Sequence, residues 1–396
     1  MALTFEQARA RVLREVRGER GVPPPETIAV LESAGRVLAE EIAADRDYPP
    51  FARSARDGFA VHADELPGEL RVIGEVRAGE VFPGRVGPGE AVEIMTGAPL
   101  PAGADAVVML EHARRVGDRI VVERTAIGGD NFNAPGAEAA GGSPLLTPGR
   151  PLGFAEAALL AMVGRSRVRV YAKPKVAIVP TGDELVEVDQ QPQPFQIRNS
   201  NAWSLALQVS RAGGVPDLVG IARDNYESTR ALVERGLAAD LLLLSGGVSV
   251  GKYDIVEKVL GHLGAEFFFT EVKLQPGKPV VFGKVRGKFF FGLPGNPGST
   301  MATFEVLARA AVELLGGVAE PVLPLLRARL TREFHQKPGL TRFVPARLSS
   351  DGASVEPEPN HGSGDVAALA RANAYLVSEP DREKWAVGDD IRVLMK

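Results

Sequence analysis

Leu241-Leu242-Leu243-Leu244 is an apolar run of strand length, and it opens straight into Ser245-Gly246-Gly247-Val248-Ser249-Val250-Gly251-Lys252-Tyr253-Asp254. A helical pattern follows. A strand that ends in a Gly/Ser loop before a helix is suited to holding a phosphate. Glycines let backbone N–H groups converge on an anion, and the helix N-terminus adds partial positive charge. Two more glycine-rich turns come soon after, Gln275-Pro276-Gly277-Lys278-Pro279 and Gly292-Leu293-Pro294-Gly295-Asn296-Pro297. Three stiff turns in one segment imply a single pocket for a large, phosphate-bearing ligand.

The segment that carries these turns alternates strand and helix. Strand patterns fall at residues 175–179, 215–221, 240–244, 267–270, 280–284 and 289–291. Helical patterns fall at 202–212, 226–239, 255–263 and 299–315. That rhythm predicts a doubly wound, mostly parallel α/β sheet over residues 172–318. In such sheets ligands sit at the carboxyl ends of the strands. The Thr181-Gly182-Asp183-Glu184 turn and the 245–254 loop both fall there.

The remainder reads differently. Thr4-Phe5-Glu6-Gln7 is a capping box that opens a helix to about Arg17. A second helical pattern covers residues 26–44, a third covers 153–164, and residues 167–171 alternate as a strand. Between them the chain is short strands and turns. The expected plan is a helical stalk of residues 1–45 and 134–171, its helices packed together, with a β-rich domain of residues 46–133 inserted. Glu320-Pro321-Val322-Leu323-Pro324 reads as a linker, and residues 322–396 as a small β-barrel-like domain. Gln190-Gln191-Pro192-Gln193-Pro194 reads as an exposed loop.

Composition narrows the chemistry. The 396 residues allow roughly two to four domains. A net charge of −4 argues against general nucleic-acid affinity, so any anion site is local. With no cysteine there are no disulfides, thiolate nucleophiles or cysteine zinc sites. The five histidines, His62, His112, His262, His335 and His361, lack metal-ligand spacing. A metal here is therefore a hard ion held by carboxylates, and Mg2+ is the expected one. No apolar run reaches the ~18 residues of a membrane helix, and the N-terminus lacks the plan of a signal peptide. The expected location is cytoplasmic.

Several side chains are placed for chemistry. Glu184 and Asp254 each end a loop at a strand end, where carboxylates can hold a cation beside a phosphate. Asp254 fits equally as the cap of the helix that begins at Ile255. Lys278, between Gly277 and Pro279, is a well-placed point charge for an oxyanion. Ser299 can be a helix N-cap or an anion contact. Ser54-Ala55-Arg56-Asp57-Gly58-Phe59-Ala60-Val61 and the run from Met95-Thr96-Gly97 to Asp105 stand out in the β-rich part, though both also read as turns.

Taken together these motifs resemble the molybdopterin molybdenumtransferase family, the bacterial MoeA proteins and the gephyrin E domain. The matching segments are residues 54–61, 95–105, 181–185, 197–201, 245–254, 276–279, 292–297 and 369–373, in the family's order. The resemblance implies that adenylylated molybdopterin is bound, its phosphoanhydride is cleaved, and molybdate or tungstate is inserted at the dithiolene with release of AMP. It implies Mg2+ as the divalent cation. It implies a homodimer with the cleft between subunits, and contact with the molybdopterin adenylyltransferase and acceptor molybdoenzymes. On matching positions, Asp57, Thr96, Glu184, Asp224, Asp254 and Lys278 are the implied active-site set. Glu184 and Asp254 are the implied metal ligands. Ser245, Gly246, Gly247, Val248 and Ser249 would cradle phosphate. Thr181, Gly182, Asp183, Pro294, Gly295, Asn296 and Ser299 complete the implied cofactor-binding set, with Lys278 and Ser299 near molybdate.

The chain departs from the family pattern at named positions. Arg56 and Phe59 replace Met and Tyr, and Gln275 stands where many members have Lys. The family's Arg-rich stretch is reduced to residues 133–138, with Glu138 as the acidic stand-in. In the C-terminal part Leu340 replaces an Arg and Ala367-Ala368 a Ser-Ser pair. These changes thin the basic and hydroxyl lining expected for an oxyanion. Two other readings follow. One is the molybdopterin adenylyltransferase, which shares the α/β domain and the Gly-Gly-Val-Ser-Val-Gly loop but not the flanking domains. The other is a cofactor-binding or scaffolding paralogue with weak or no transferase activity.

Overall fold

The computed structural model describes residues 2–247 and 255–396, so the readings at Val248, Ser249 and Asp254 lie outside the described residues. The chain divides into two compact units. One comprises Met1–Ala39, Pro148–Phe154 and Arg167–Lys396; the other comprises Glu40–Thr147 and Ala155–Ser166.

The first unit contains the doubly wound sheet. Its strands are β1 (Lys175–Pro180), β2 (Val215–Leu218), β3 (Leu241–Ser245), β4 (Glu266–Phe269), β5 (Val281–Val285) and β6 (Lys288–Leu293). They lie in the order β2-β1-β3-β6-β5-β4. The first four are mutually parallel, and β5 and β4 add an antiparallel edge. The leucine run is explained by burial on both faces. Leu241 and Leu243 pack in one core with Ala202, Leu205 and Val209 of the helix Ser200–Arg211. Leu242 and Leu244 pack in a second core with Val233, Val256 and Val259 from the helices Tyr226–Gly236 and Ile255–His262.

The capping box forms as expected. Thr4 Oγ1 accepts from the Gln7 amide at 3.2 Å, and the Thr4 amide donates to Gln7 Oε1 at 3.0 Å, opening the helix Phe5–Glu19. Its buried face, Phe5, Ala8, Val12 and Val16, joins the first α/β core. Its burial therefore comes from that core and not from a stalk of paired helices. The last helical pattern is three pieces in one run: Pro297–Thr303, a π-helical turn Phe304–Ala308, and Arg309–Leu315.

The helix expected over residues 26–44 is not there. Pro25–Ala29 is a strand, paired antiparallel with Arg167–Tyr171, followed by a single 3-10 turn, Val30–Glu32. The reason is local. Pro23, Pro24 and Pro25 fix an extended entry, and the β-branched Thr27 and Ile28 favour a pleated partner. Gly35, at φ 72°, then turns the chain in a backbone region that L side chains rarely adopt.

The C-terminal part closes into a small barrel. Thr341–Leu348, Ser354–Pro357, Leu325–Leu330, Asp390–Met395 and Ala374–Ser378 pair in that order, and the last returns to pair with the first. Val272–Gln275 adds to it in parallel, with Leu274 beside Thr341 and Gln275 beside Arg342. Leu3–Thr4 pairs on the far side of that strand.

The second unit has a six-stranded sheet. Its order is Ala106–Met109, Gly58–Val61, Glu90–Ile94, Gly68–Val76, Arg119–Val122 and Ala113–Val116. Gly58 pairs with Ile94, so the residues just outside those two positions, Asp57 and Thr96, emerge at one end of adjacent strands. The helix Phe154–Met162 lies largely in this unit, where Tyr48 Oη donates to the Met162 carbonyl at 2.9 Å.

Leu243 is fully buried in the centre of the α/β sheet. Leu243→Ala is expected to destabilise the first unit by about 2–5 kcal/mol through lost transfer energy and a residual cavity. Urea unfolding followed by far-UV circular dichroism reads this as a lower midpoint. An unchanged midpoint would contradict burial on both faces.

Candidate active site

The parallel register sets the site. Pro180 pairs with Ser245 and Ser245 with Leu293, so three strands end level with one another. Their exits tie together: the Thr181 amide donates to the Ser245 carbonyl at 2.9 Å, and the Gly246 amide to the Leu293 carbonyl at 3.0 Å. Gly246 has φ 94°, and a Cβ there would lie 2.7 Å from the Thr181 carbonyl oxygen, so only glycine fits this crossing.

Above these ends lies an open cleft of about 760 Å3. It gathers most of the residues expected from the sequence. Thr181, Gly182, Glu184 and Asp224 line one side, and Ser245, Gly246 and Gly247 form its base. Pro294, Gly295, Asn296 and Ser299 line the other side. The Thr181 and Ser245 hydroxyls are buried and have no hydrogen-bond partner among the described residues. Buried polar groups left unpaired are costly, so these two are available for a ligand.

Two carboxylates act within the cleft wall. Asp183 and Asp224 exchange bonds: the Asp183 amide donates to Asp224 Oδ2 at 3.2 Å, and the Asp224 amide to Asp183 Oδ1 at 3.1 Å. Arg223 Nη1 donates to the carbonyls of Asp183 at 3.1 Å and Leu185 at 3.0 Å. The turn bearing Glu184 is thereby clamped to the turn after β2. Arg223 escaped the sequence reading because its partners are backbone carbonyls forty residues away, which leave no residue-type signature. Arg198, Asn199 and Asn201 were read as part of a motif without a role. They line the cleft, and Asn201 Nδ2 donates to the Gly295 carbonyl at 2.8 Å.

Ser299 is not the helix cap. Asn296 occupies that position with Pro297 after it, and Ser299 lies inside the first turn, nearly fully buried. Lys278 does not line the cleft. It lines a second cavity of about 430 Å3, together with Gln275, Gly277, Ser299, Arg342, Ser363 and Tyr375. Lys278 Nζ pairs with Glu271 at 2.5 Å. Gly277 has φ 107°, and a Cβ there would lie 2.3 Å from Thr303 Cγ2, so the turn packs against the helix only as glycine. Ser299 and Pro279 line both cavities, and Asn296 Nδ2 donates to Ser363 Oγ at 3.0 Å across the wall between them.

The two spaces differ in charge. The cleft carries Glu184, Asp224 and Arg198. Among the described residues the smaller cavity is lined by two cations, Lys278 and Arg342, and by no carboxylate. Burial pushes the Tyr375 hydroxyl above its ordinary range, so it stays neutral. Among the described residues no group of three His, Asp or Glu could hold a metal. The carboxylates of the cleft, Glu184 and Asp224, offer hard oxygen ligands, the kind that would suit Mg2+.

In the second unit Asp57 Oδ1 accepts from the Thr96 amide at 2.6 Å and from Thr96 Oγ1 at 2.7 Å. These bonds, the backbone one first, hold the Asp57 carboxyl below the usual carboxylate range. Glu138 accepts from Arg53 at 2.7 Å.

Comparison with known proteins gives one consistent answer. Residues 3–164 match the MoeA N-terminal region (domain I and II), residues 177–314 a probable molybdopterin binding domain, and residues 327–395 the MoeA C-terminal region (domain IV). A molybdopterin molybdenumtransferase of Staphylococcus aureus (strain MSSA476) is 31% identical over 393 residues, 97% of this chain and 94% of that protein. One from Nostoc sp. (strain PCC 7120) is 34% identical over 386 residues, 93% and 88% of the two chains. Among solved structures, the molybdopterin biosynthesis moeA protein of Pyrococcus horikoshii OT3 superposes with a TM-score of 0.81 at 28% identity, covering 100% of both chains.

Thr96→Ala removes the hydroxyl donor to Asp57 and keeps the amide. The Asp57 pKa is therefore expected to rise toward the ordinary aspartate value without reaching it. Because the native value is depressed, these bonds favour the folded chain above the unfolded-state pKa, and that contribution is lost as pH falls through the native one. A carboxyl-carbon NMR titration of Asp57 reads the change. An unmoved or lowered pKa in Thr96→Ala would contradict the geometry.

Proposed function

This chain belongs to the MoeA family of molybdopterin molybdenumtransferases, and from that premise we propose how its two cavities divide the reaction. The transferase acts in molybdenum cofactor biosynthesis. In this reading the cleft over β1, β3 and β6 takes adenylylated molybdopterin, and the smaller cavity takes molybdate. The observation that carries the reading is the shared wall of Ser299 and Pro279 between a carboxylate-bearing cleft and a carboxylate-free cationic cavity.

Thr181, Gly182, Asp183, Ser245, Gly246 and Gly247, continued by Val248 and Ser249, hold the phosphate end of the pterin nucleotide. The unpartnered Thr181 and Ser245 hydroxyls support this, since phosphate oxygens would accept from both. Pro294, Gly295 and Asn296 hold the opposite side. Glu184, with Asp254, would hold Mg2+, and Asp224 keeps the Glu184 turn in place through Asp183. When bound, Mg2+ would supply positive charge that offsets the charge of the phosphate oxygens. Water adds to the anhydride phosphorus, the bridging P–O bond breaks, and AMP leaves. Lys278 and Ser299 face the oxyanion. The working form is a homodimer in which Asp57 and Thr96 of a second copy join the set, Asp57 ionised at neutral pH. Among the described residues no helix is long and apolar enough to cross a membrane.

Glu184→Gln is expected to lower molybdate-dependent AMP release by about a hundredfold or more, with pterin-nucleotide binding retained. Mixing Glu184→Gln with Asp57→Ala protein and allowing subunits to exchange is expected to restore part of the activity, because half of the sites in a mixed dimer are then intact. Full activity in Glu184→Gln would contradict the role of the cleft. Absence of restoration in verified mixed dimers would contradict the two-subunit arrangement.

A further inference from the structure

The smaller cavity contains a guanidinium that neither the family match nor the sequence motifs assign. We infer that Arg342, oriented by Gln275, is the oxyanion-recognising and specificity-determining residue of this cavity, and that its ligand is a tetrahedral dianion. The inference rests on the reading above, that this cavity takes molybdate.

The two cations of the cavity are in different states. Lys278 is neutralised by Glu271 at 2.5 Å, and its side chain remains 57% exposed. Arg342 has no carboxylate partner among the described residues. Nη1 donates to the Gln275 side-chain carbonyl, Nη2 donates to the Lys337 carbonyl at 3.2 Å, and Nε is buried with no partner among the described residues. Two neutral acceptors therefore fix the guanidinium plane without cancelling its charge. A buried N–H without an acceptor costs free energy, so the hydrogen-bonding capacity of this guanidinium is not exhausted by its protein partners. The planar fork of arginine also matches two oxygens of a tetrahedral oxyanion, which a lysine cannot do. Burial lowers the Arg342 pKa, the direction expected when no anion faces it.

Gln275 is a positioning residue. It is the direct register partner of Arg342 across the parallel pair of Val272–Gln275 and Thr341–Leu348, so the two side chains leave the sheet side by side. A lysine at 275 would set two cations together. A glutamate would occupy the guanidinium in place of the ligand. Glutamine alone among these three orients Arg342 and leaves its charge for an anion. Ser299, Ser363 and Asn360 supply neutral polar groups on the surrounding wall. Among the described residues no carboxylate lines that wall, and the Glu271 carboxylate is ion-paired with Lys278.

The test uses the full-length protein with tungstate or molybdate as probe, measured by equilibrium dialysis, and the half-saturating molybdate concentration for AMP release. Arg342→Ala is expected to weaken oxyanion binding at least about tenfold and to raise the half-saturating molybdate concentration similarly, with pterin-nucleotide affinity unchanged. Arg342→Lys is expected to recover only part of the loss, and it keeps a cation at the site if the alanine variant folds poorly. Gln275→Glu is expected to weaken binding although it is nearly isosteric. If the native protein shows molybdate-dependent AMP release but Arg342→Ala and Gln275→Glu bind tungstate within twofold of native, this inference is overturned and the function is not. If native AMP release is indifferent to molybdate and no oxyanion binds, the function reading fails first.

Discussion

Level parallel strand ends are the constraint on which the rest of the site depends. Because β1, β3 and β6 pair as Pro180–Ser245–Leu293, the three chains leave the sheet side by side and must turn within a few ångströms of one another. That crowding explains why Gly246 has no room for a Cβ and why the Thr181 and Ser245 hydroxyls are buried without a partner among the described residues. The leucine strand, buried on both faces, anchors the sheet from which these turns depart.

A second consequence is the separation of charge. The pterin nucleotide and the metal oxyanion are both anionic, and placing them in one undivided space would set like charges together. The fold offers two spaces with one wall. The carboxylates Glu184 and Asp224 line the cleft, whereas among the described residues the smaller cavity is lined by Lys278 and Arg342 without a carboxylate. The wall is a short helix start, Asn296 to Ser299, held to the barrel by Asn296–Ser363 and by the Gly298 amide donating to the Ser363 carbonyl at 2.7 Å. The barrel thus contributes a side of the smaller cavity as well as stability.

What could be read from residues alone follows the range of the forces involved. The α/β unit was legible because its signals are local: apolar runs of strand length, helical periodicity, and glycine turns at strand ends. The strand Pro25–Ala29 was misread as helix because its partner, Arg167–Tyr171, lies far along the chain and its own periodicity is weak. Lys278 was placed near the oxyanion on motif grounds, and it does line the cavity next to the cleft. Gln275 and Leu340 read as losses because each was judged singly. Only the barrel register, which sets Gln275 beside Arg342, reveals that a guanidinium remains two residues beyond Leu340. No sequence pattern encodes that pairing, since it joins strands in different parts of the chain.

The measurement that tests this division of labour most directly is a crystal structure of the protein with AMP and tungstate, with tungsten located by its anomalous signal. The account predicts a tungsten peak in the smaller cavity within hydrogen-bonding reach of Arg342 and Ser299, and the AMP phosphate in the cleft over Thr181 and Ser245. Tungsten in the cleft, or AMP phosphate in the cationic cavity, would contradict it.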